Sequence, residues 1–437
     1  MTAVRSLRIR LGQTDVGSLF GLDDGRVYFR FDDAYALDPR RPVLSASFGG
    51  GGENETRLQL LDPHFGPTFG SGGGRLPVFF RNLLPEGVLR RQLVADAGLS
   101  PDDELGLLAY CGTDLPGDVW ALAESLDDPA LGRLVTQGND SYEMSSHQLP
   151  TPEAVSLSGV QPKVSLIDAP GGRYVMRSKA STGRHYIGKL PASDYPALPE
   201  LEHLSLQLAQ AAGVTVCRTE LQPLAAIADR LPFSLRDDAR NFLLVHRFDR
   251  DADTPSGRVH MEDFAQILQL APDDKYRGTY AGIGIALRYI SSSEDDLHEL
   301  LRRIKVNELL GNYDAHTKNF SVLYTAAGPR LSPAYDVVAY AAYVRGAGHA
   351  LRFFDGQQQA QRLTPINVRM LANAWDLAEK RMTATLADTV ARAAQSWPAL
   401  IAEAAIPQAQ KAQLLEHLAQ EPSVAAWKRR HAARTAT

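Results

Sequence analysis

The stretch Gly311-Asn312-Tyr313-Asp314-Ala315-His316-Thr317-Lys318-Asn319-Phe320 stands at the end of an amphipathic helical segment, DLHELLRRIKVNELLGN (296–312). It separates an Asp from an Asn by four residues, in a loop that follows a helix. Phosphoryl transfer to a hydroxyl needs a carboxylate beside the attacking oxygen. It also needs amide and carboxylate oxygens to hold magnesium on the phosphates, and the Asp-x-x-x-x-Asn spacing serves the first task and part of the second. Taken alone, the pair reads equally well as an Asp and an Asn capping a loop. The surrounding chain shifts that balance.

Downstream, Leu331-Ser332-Pro333-Ala334-Tyr335-Asp336-Val337-Val338 places one carboxylate inside an apolar segment. Burying it is costly unless a cation or hydrogen bonds compensate, which makes Asp336 the candidate second magnesium ligand. Upstream, Lys189 lies in a strand-like segment and Glu202 opens the helix that follows. A strand lysine paired with a helix glutamate orients α- and β-phosphates in phosphoryl-transfer sites. Each has a plainer reading, Lys189 as an edge-strand charge and Glu202 as a first-turn acid favoured by the helix dipole. Their common chain order favours the joint one. Gly183-Arg184-His185-Tyr186-Ile187-Gly188-Lys189-Leu190 almost spells a P-loop. Leu190 stands where a hydroxyl is required, however, and the setting is a strand, so that reading fails. Ser156-Leu157-Ser158-Gly159-Val160-Gln161-Pro162-Lys163 offers backbone amides around a glycine and a terminal ammonium as an alternative phosphate cradle. By itself it is also an ordinary β-turn.

Element patterns organise the rest. Val27, Phe29 and Phe31 alternate with polar residues after the turn Asp23-Asp24-Gly25, so the first third reads as strand-rich. The glycines at 49–52 and 70–74 read as surface loops. A helix is expected in NLLPEGVLRRQLVADAG (82–98), with Pro85 at its start and Gly98 at its end. Strand candidates at 163–167, 173–176, 186–190 and 241–248 surround a helix in LPELEHLSLQLAQAAG (198–213), whose Leu201, Leu204, Leu208 and Ala211 share one face. From about Met261 nearly everything reads as helical. The order implies an α+β chain, a mixed lobe followed by an all-α lobe.

The 437 residues carry 46 Lys plus Arg against 51 Asp plus Glu, a formal net charge of −5, which argues against a chain that coats nucleic acid unaided. The basic tail Lys428, Arg429, Arg430, His431 and Arg434 reads as a solvated terminus. Two cysteines, Cys111 and Cys217, cannot build a disulfide framework or a Cys-based zinc site, and they favour a reducing compartment. No apolar run approaches the roughly 18 residues of a membrane span, and the N-terminus has charges where a signal peptide needs its apolar stretch. A cytoplasmic location without a membrane partner is expected.

SLSGVQPKVSL (156–166), YIGKLP (186–191), RFDR (247–250), DAHTKNFSVL (314–323) and LSPAYDVV (331–338) together resemble the HipA family, the serine/threonine kinase toxins of HipBA toxin–antitoxin modules. VGSLFGLDDGRVYFRF (16–31) and FFRNLLPEG (79–87) resemble that family's N-terminal subdomain. The resemblance implies a two-lobed kinase-like fold divided as 1–120, an N-terminal subdomain; 121–248, the rest of a β-rich N-lobe; and 249–437, a helical C-lobe. Carried over by position, it makes Asp314 the catalytic base and Asn319 and Asp336 the Mg2+ ligands. Lys189 and Glu202 would serve the ATP phosphates, and Ser158, Gly159, Val160, Gln161, Pro162 and Lys163 would form the phosphate-binding loop. His246, Arg247 and Phe248 would be the adenine hinge, while His316, Thr317, Lys318 and Tyr335 would complete the nucleotide contacts. Autophosphorylation would fall on Ser156, with Ser158 a second hydroxyl two residues on. The implied partners are a HipB-like helix-turn-helix antitoxin, operator DNA mainly through that antitoxin, and an aminoacyl-tRNA synthetase substrate such as glutamyl-tRNA synthetase. The competing reading from another class is a catalytically weak corepressor that mainly binds the antitoxin.

Overall fold

The computed structural model describes residues 2–22, 24–124, 142–144, 162–169, 171–176, 184–192, 194–227, 235, 239–346, 348–357 and 362–435. Its strands are Thr2–Leu11 (β1), Thr14–Leu22 (β2), Val27–Phe31 (β3), Val119–Ala123 (β4), Tyr142–Met144 (β5), Lys163–Ala169 (β6), Arg173–Met176 (β7), His185–Lys189 (β8), Thr219–Pro223 (β9), Asn241–His246 (β10), His260–Asp263 (β11), Ser321–Thr325 (β12) and Gly328–Leu331 (β13). The helices are Asp33–Leu37 (α1), Glu53–Leu61 (α2), Val78–Arg81 (α3), Gly87–Asp96 (α4), Glu104–Cys111 (α5), Leu198–Ala211 (α6), Phe264–Ile267 (α7), Tyr280–Ser291 (α8), Glu294–Leu310 (α9), Pro365–Trp375 (α10), Glu379–Glu403 (α11), Gln408–Gln420 (α12) and Pro422–Thr435 (α13). Among the described residues no helix is long and apolar enough to cross a membrane.

The chain forms two compact units. Unit 1 comprises 1–167, 176–184 and 249–272, and unit 2 comprises 168–175, 185–248 and 273–437.

In unit 1, β3-β2-β1-β4 form an antiparallel sheet, with β5 added parallel to β1. Leu7, Ile9 and Leu11 alternate inward from β1, as do Val27, Phe29 and Phe31 from β3. They meet the rings of Phe48, Phe79 and Phe80 in one core. Of the turn expected before β3, Asp23 lies outside the described residues, and Gly25 takes φ +82°. The glycines after residue 69 are not merely a surface loop, because Gly70 N–H donates to the Val27 carbonyl at 2.8 Å and Gly74 N–H to Gly25 at 2.9 Å. Helix α4 begins at Gly87, so Pro85 precedes it instead of opening it. The second half of the RFDR stretch is structural. Arg250, with its side chain 6% exposed, donates to Asp249 at 2.7 Å, to Asp114 at 2.9 Å and to the carbonyls of Gly117 and Leu115 at 3.1 and 2.9 Å.

In unit 2, β10 lies between β8 and β9, antiparallel to both. Helix α6 packs its Leu201, Leu204 and Leu208 into a core shared with Leu243, Val306, Val390 and Trp397. The Trp397 indole donates to the Leu208 carbonyl at 2.8 Å. The expectation of a purely helical C-terminal part is corrected by β12 and β13, a hairpin inserted directly after the Asp-x-x-x-x-Asn loop. Its SVLYT strand is too short for a helix and is rich in β-branched and aromatic residues.

Helix α9 is buried along most of its length and carries polar groups inward. Glu308 accepts from Lys305, from His349 at 3.1 Å and from the Leu363 backbone N–H at 2.5 Å. Burial would raise its pKa, but the His349 hydrogen bond and the Lys305 charge outweigh that and lower it to about 2. A depressed carboxyl stabilises the fold above its ordinary value of 4.5 and loses that contribution as pH falls toward 2. Glu308→Gln is therefore expected to lower the unfolding free energy by about 3 kcal/mol at pH 7. In urea titrations the deficit should shrink steadily between pH 4.5 and pH 2, and a deficit independent of pH would contradict the assignment.

Candidate active site

Two segments of unit 2 close on the ammonium group that a strand of the same unit presents, and a third binds one of them. Lys189 is the last residue of β8 and is held in register opposite Leu243 of β10. Glu202 sits in α6 beside the Leu201 that anchors the helix in the core, and is 1% exposed. Asp336 follows a short parallel bridge in which Ala334 N–H donates to Thr215 at 2.8 Å and the Ala334 carbonyl accepts from Cys217 at 2.9 Å. Lys189 Nζ lies 2.5 Å from Glu202 Oε1 and 2.5 Å from Asp336 Oδ1. Asn319 Nδ2 donates to the other Asp336 oxygen at 2.9 Å.

Burial would depress the Lys189 pKa, but the Asp336 and Glu202 carboxylates reverse the effect and hold it above its ordinary value. The ammonium therefore keeps its charge although it is nearly enclosed. The acid-rich setting also acts on neighbours. Burial, followed by Asp314, Asp336 and Glu202, pushes the Tyr340 phenol up, and burial with Glu202 beside it pushes the Cys217 thiol up to about 12.

The loop after α9 is built by its own hydrogen bonds. Gly311 ends the helix at φ +60°. Asn312 N–H then donates to the Asn307 carbonyl at 2.8 Å, and Asn312 Oδ1 receives Asp314 N–H at 3.3 Å. His316 N–H donates to Asn319 Oδ1 at 2.9 Å, which orients the amide so that its nitrogen faces Asp336. The Tyr335 hydroxyl donates to the Lys318 carbonyl at 2.7 Å, tying the Asp336 segment to the loop. Thr317 and Lys318 are buried within it.

Lys189, Glu202, Asn319 and Asp336 thus come together, with Tyr335 bonded to the Lys318 carbonyl and Asp314, His316, Thr317 and Lys318 on the same short loop as Asn319. His246 N–H is taken by the Arg218 carbonyl at 3.0 Å and Arg247 N–H by His185 at 3.4 Å, both sheet-like bonds. The Phe248 ring lies 5.6 Å from that of Tyr335. Pro162 and the buried Lys163 belong to unit 1. Ser156, Ser158, Gly159, Val160 and Gln161 lie outside the described residues.

Sequence reading missed Tyr276, whose hydroxyl donates to Asp314 Oδ1. It lies 38 residues upstream of Asp314, and no motif marked it. The Asn307–Asn312 pair, joined at 3.1 Å, was legible in principle, because Asn307 is a polar residue on the buried face of an amphipathic helix.

The Asp336 carboxylate suits a hard, oxygen-seeking cation whose other ligands are phosphates and water, while the Asn319 amide turns its nitrogen to that carboxylate and its oxygen to His316 N–H, so Asn319 would have to rotate to join it as a ligand. The ammonium beside them suits phosphate oxygens. A strand lysine bridged to a helix glutamate and to an aspartate that follows a β-hairpin defines a chain of protein-kinase-like architecture. Residues 7–122 match the HipA N-terminal domain and residues 155–397 the HipA-like C-terminal domain. This chain belongs to the HipA family. A Sinorhizobium fredii protein named "Putative kinase Y4dM" is 36% identical over 406 residues, 91% of this chain and 93% of its own. The serine/threonine-protein kinase toxin HipA of Shewanella oneidensis is 25% identical over 303 residues, 63% of this chain and 66% of its own. A chain from the solved Shewanella oneidensis MR-1 complex of HipA, HipB and operator DNA shares the fold, with a TM-score of 0.65, 19% identity and 97% of each chain covered.

Removing the central cation tests the site's energetics. Lys189→Met should cost about 3 kcal/mol by leaving buried Glu202 without its partner. Lys189→Met/Glu202→Gln should recover most of that loss in urea denaturation. A double variant as unstable as the single one would show that the pair is not the source of the cost.

Proposed function

We propose that this chain is an ATP- and Mg2+-dependent serine/threonine protein kinase acting as the toxin of a toxin–antitoxin pair. The observation that carries the reading is the Lys189 ammonium at 2.5 Å from both Glu202 and Asp336, with Asn319 bound to the same Asp336. A chain that only bound a partner would have no need to enclose that set.

In this reading Asp314 accepts the proton of the attacking hydroxyl, and Lys189, steadied by Glu202, turns from Asp336 to the α- and β-phosphates of ATP. Asn319 and Asp336 would hold Mg2+, which would neutralise charge on the phosphate oxygens. Phe248, beside Tyr335, would line the adenine side together with His246 and Arg247, and Lys318 and His316 would face developing charge. The division into 1–120, 121–248 and 249–437 and a cytoplasmic location belong to the same proposal.

The relatives' names support the toxin reading, and the HipA–HipB–DNA complex of the structural neighbour supports a HipB-like helix-turn-helix partner through which operator DNA is met. An aminoacyl-tRNA synthetase, glutamyl-tRNA synthetase as the leading choice, would be the protein substrate, and its phosphorylation would stop translation and growth. Self-phosphorylation at Ser156 or Ser158 would place nearly two negative charges where ATP phosphates bind, and so silence the enzyme.

Incubation with Mg2+ and ATP, followed by intact-mass and peptide mapping, tests this. Phosphate is expected on Ser156 or Ser158 in the wild type. Asp314→Asn should bind ATP yet transfer phosphate about 10²–10⁴-fold more slowly. Equal transfer by that variant would overturn the base assignment. Absence of phosphate from unmodified, ATP-binding wild type would favour a corepressor.

A further inference from the structure

The carboxylate proposed as the base already has a hydroxyl on it. Tyr276 donates its phenolic O–H to Asp314 Oδ1, the bond that an acceptor hydroxyl makes to a general base before transfer. The contact is built and not incidental. The carbonyl of Lys275, the preceding residue, accepts from Thr317 Oγ1 at 2.8 Å and from Thr317 N–H at 3.2 Å. Thr317 is fully buried three positions after Asp314, so the backbone at residue 275 is clamped to the same loop. Arg277 N–H donates to the Asp274 carbonyl at 2.8 Å, and Arg277 Nε lies 3.0 Å from the Asp274 carboxylate, closing a turn around the tyrosine. The Tyr276 ring meets His316 edge-on, with centroids 5.2 Å apart. Yet the residue remains 44% exposed, so its outer side is open to an incoming molecule.

From this geometry we infer that Tyr276 is an internal stand-in for the phosphoacceptor hydroxyl, which keeps water off Asp314 until a protein acceptor displaces it. The inference rests on the kinase reading and deepens it by assigning the selection of protein over water at the acceptor position. In the reaction that it suppresses, a water oxygen attacks the γ-phosphorus of ATP and gives its proton to Asp314. The bond from that phosphorus to the β-bridging oxygen breaks, and ADP leaves with the electron pair while inorganic phosphate forms. Water carries no binding energy beyond its own hydrogen bonds with which to dislodge the phenol. A protein acceptor contributes the rest of its docking surface, and its serine or threonine hydroxyl then makes the bond that the phenol gives up.

The test measures ATP hydrolysis by full-length protein with Mg2+ and no protein acceptor, alongside ATP binding, melting midpoint and phosphosite mapping. Tyr276→Phe keeps the ring on His316 and removes only the hydroxyl. It should raise the hydrolytic kcat about three- to tenfold, the factor expected for losing one competing hydrogen bond, with the KM for ATP and the melting midpoint unchanged. Tyr276→Ala, which also removes the ring, should hydrolyse at least as fast. Adding Asp314→Asn to Tyr276→Phe should abolish the gain, since the phenol acts only through that carboxylate. Hydrolysis unchanged or slowed by Tyr276→Phe would overturn the inference and leave the kinase reading standing, as would phosphate found on Tyr276 itself. ATP bound by both proteins with no turnover in either would overturn it too. Failure of the wild type to bind ATP at all would overturn the kinase reading, and the inference with it.

Discussion

An ammonium group almost without water is the constraint around which unit 2 is arranged. Removing Lys189 from solvent costs several kcal/mol unless anions close the gap, and two carboxylates from distant parts of the chain do so. Satisfying them fixes much else. Glu202 can reach the ammonium only if α6 stands beside β8 with its leucines in the core. Asp336 can reach it only if residues 215–217 bridge to Ala334. Asn319, in turn, is oriented by the Asp336 that it binds and by His316 behind it. Local backbone hydrogen bonds and a long-range ion pair thereby specify the same arrangement, the consistency between levels that marks a well-defined fold.

Helix α9 presents the same problem with a different outcome. Lys305 and Glu308 lie within one turn, and His349 and the Leu363 backbone complete the Glu308 shell. The network holds the helix from which the Asp314 loop departs. Asn307, on the same buried side, reaches Asn312 and sets the first step of that loop. A polar residue inside this helix therefore acts on the shape of the loop beyond it.

Much of the site was legible because its residues are anomalous where they stand. A lysine ending a strand, an acid in an apolar run and an Asp–Asn pair after a helix each violate the local pattern, and such violations concentrate at sites. Elements that break no pattern were harder to read. Tyr276 occupies an unremarkable polar segment, and its meaning depends on a contact 38 residues away in sequence. The β12–β13 hairpin was absorbed into a helical expectation because a five-residue strand offers too short a period to count. Arg250 belongs to the RFDR stretch that carried part of the family resemblance, and its guanidinium is spent on the Asp114 and Asp249 carboxylates and on three carbonyls within unit 1. Motif membership located it, and only geometry separated its task from that of Phe248.

Asp336 adopts φ +56°, a left-handed conformation that asparagine and aspartate tolerate far better than other side-chain-bearing residues. The position is therefore open to few replacements, and the mildest of them, asparagine, differs from aspartate by one base in the codon. Such a change would leave the backbone at ease and Lys189 still paired with Glu202, while removing the charge on which a phosphate-bound cation would depend. In evolutionary terms the backbone leaves that step open, but the buried Lys189 ammonium would lose one of the two carboxylates that hold it, so a lineage taking it would give up stability along with the charge.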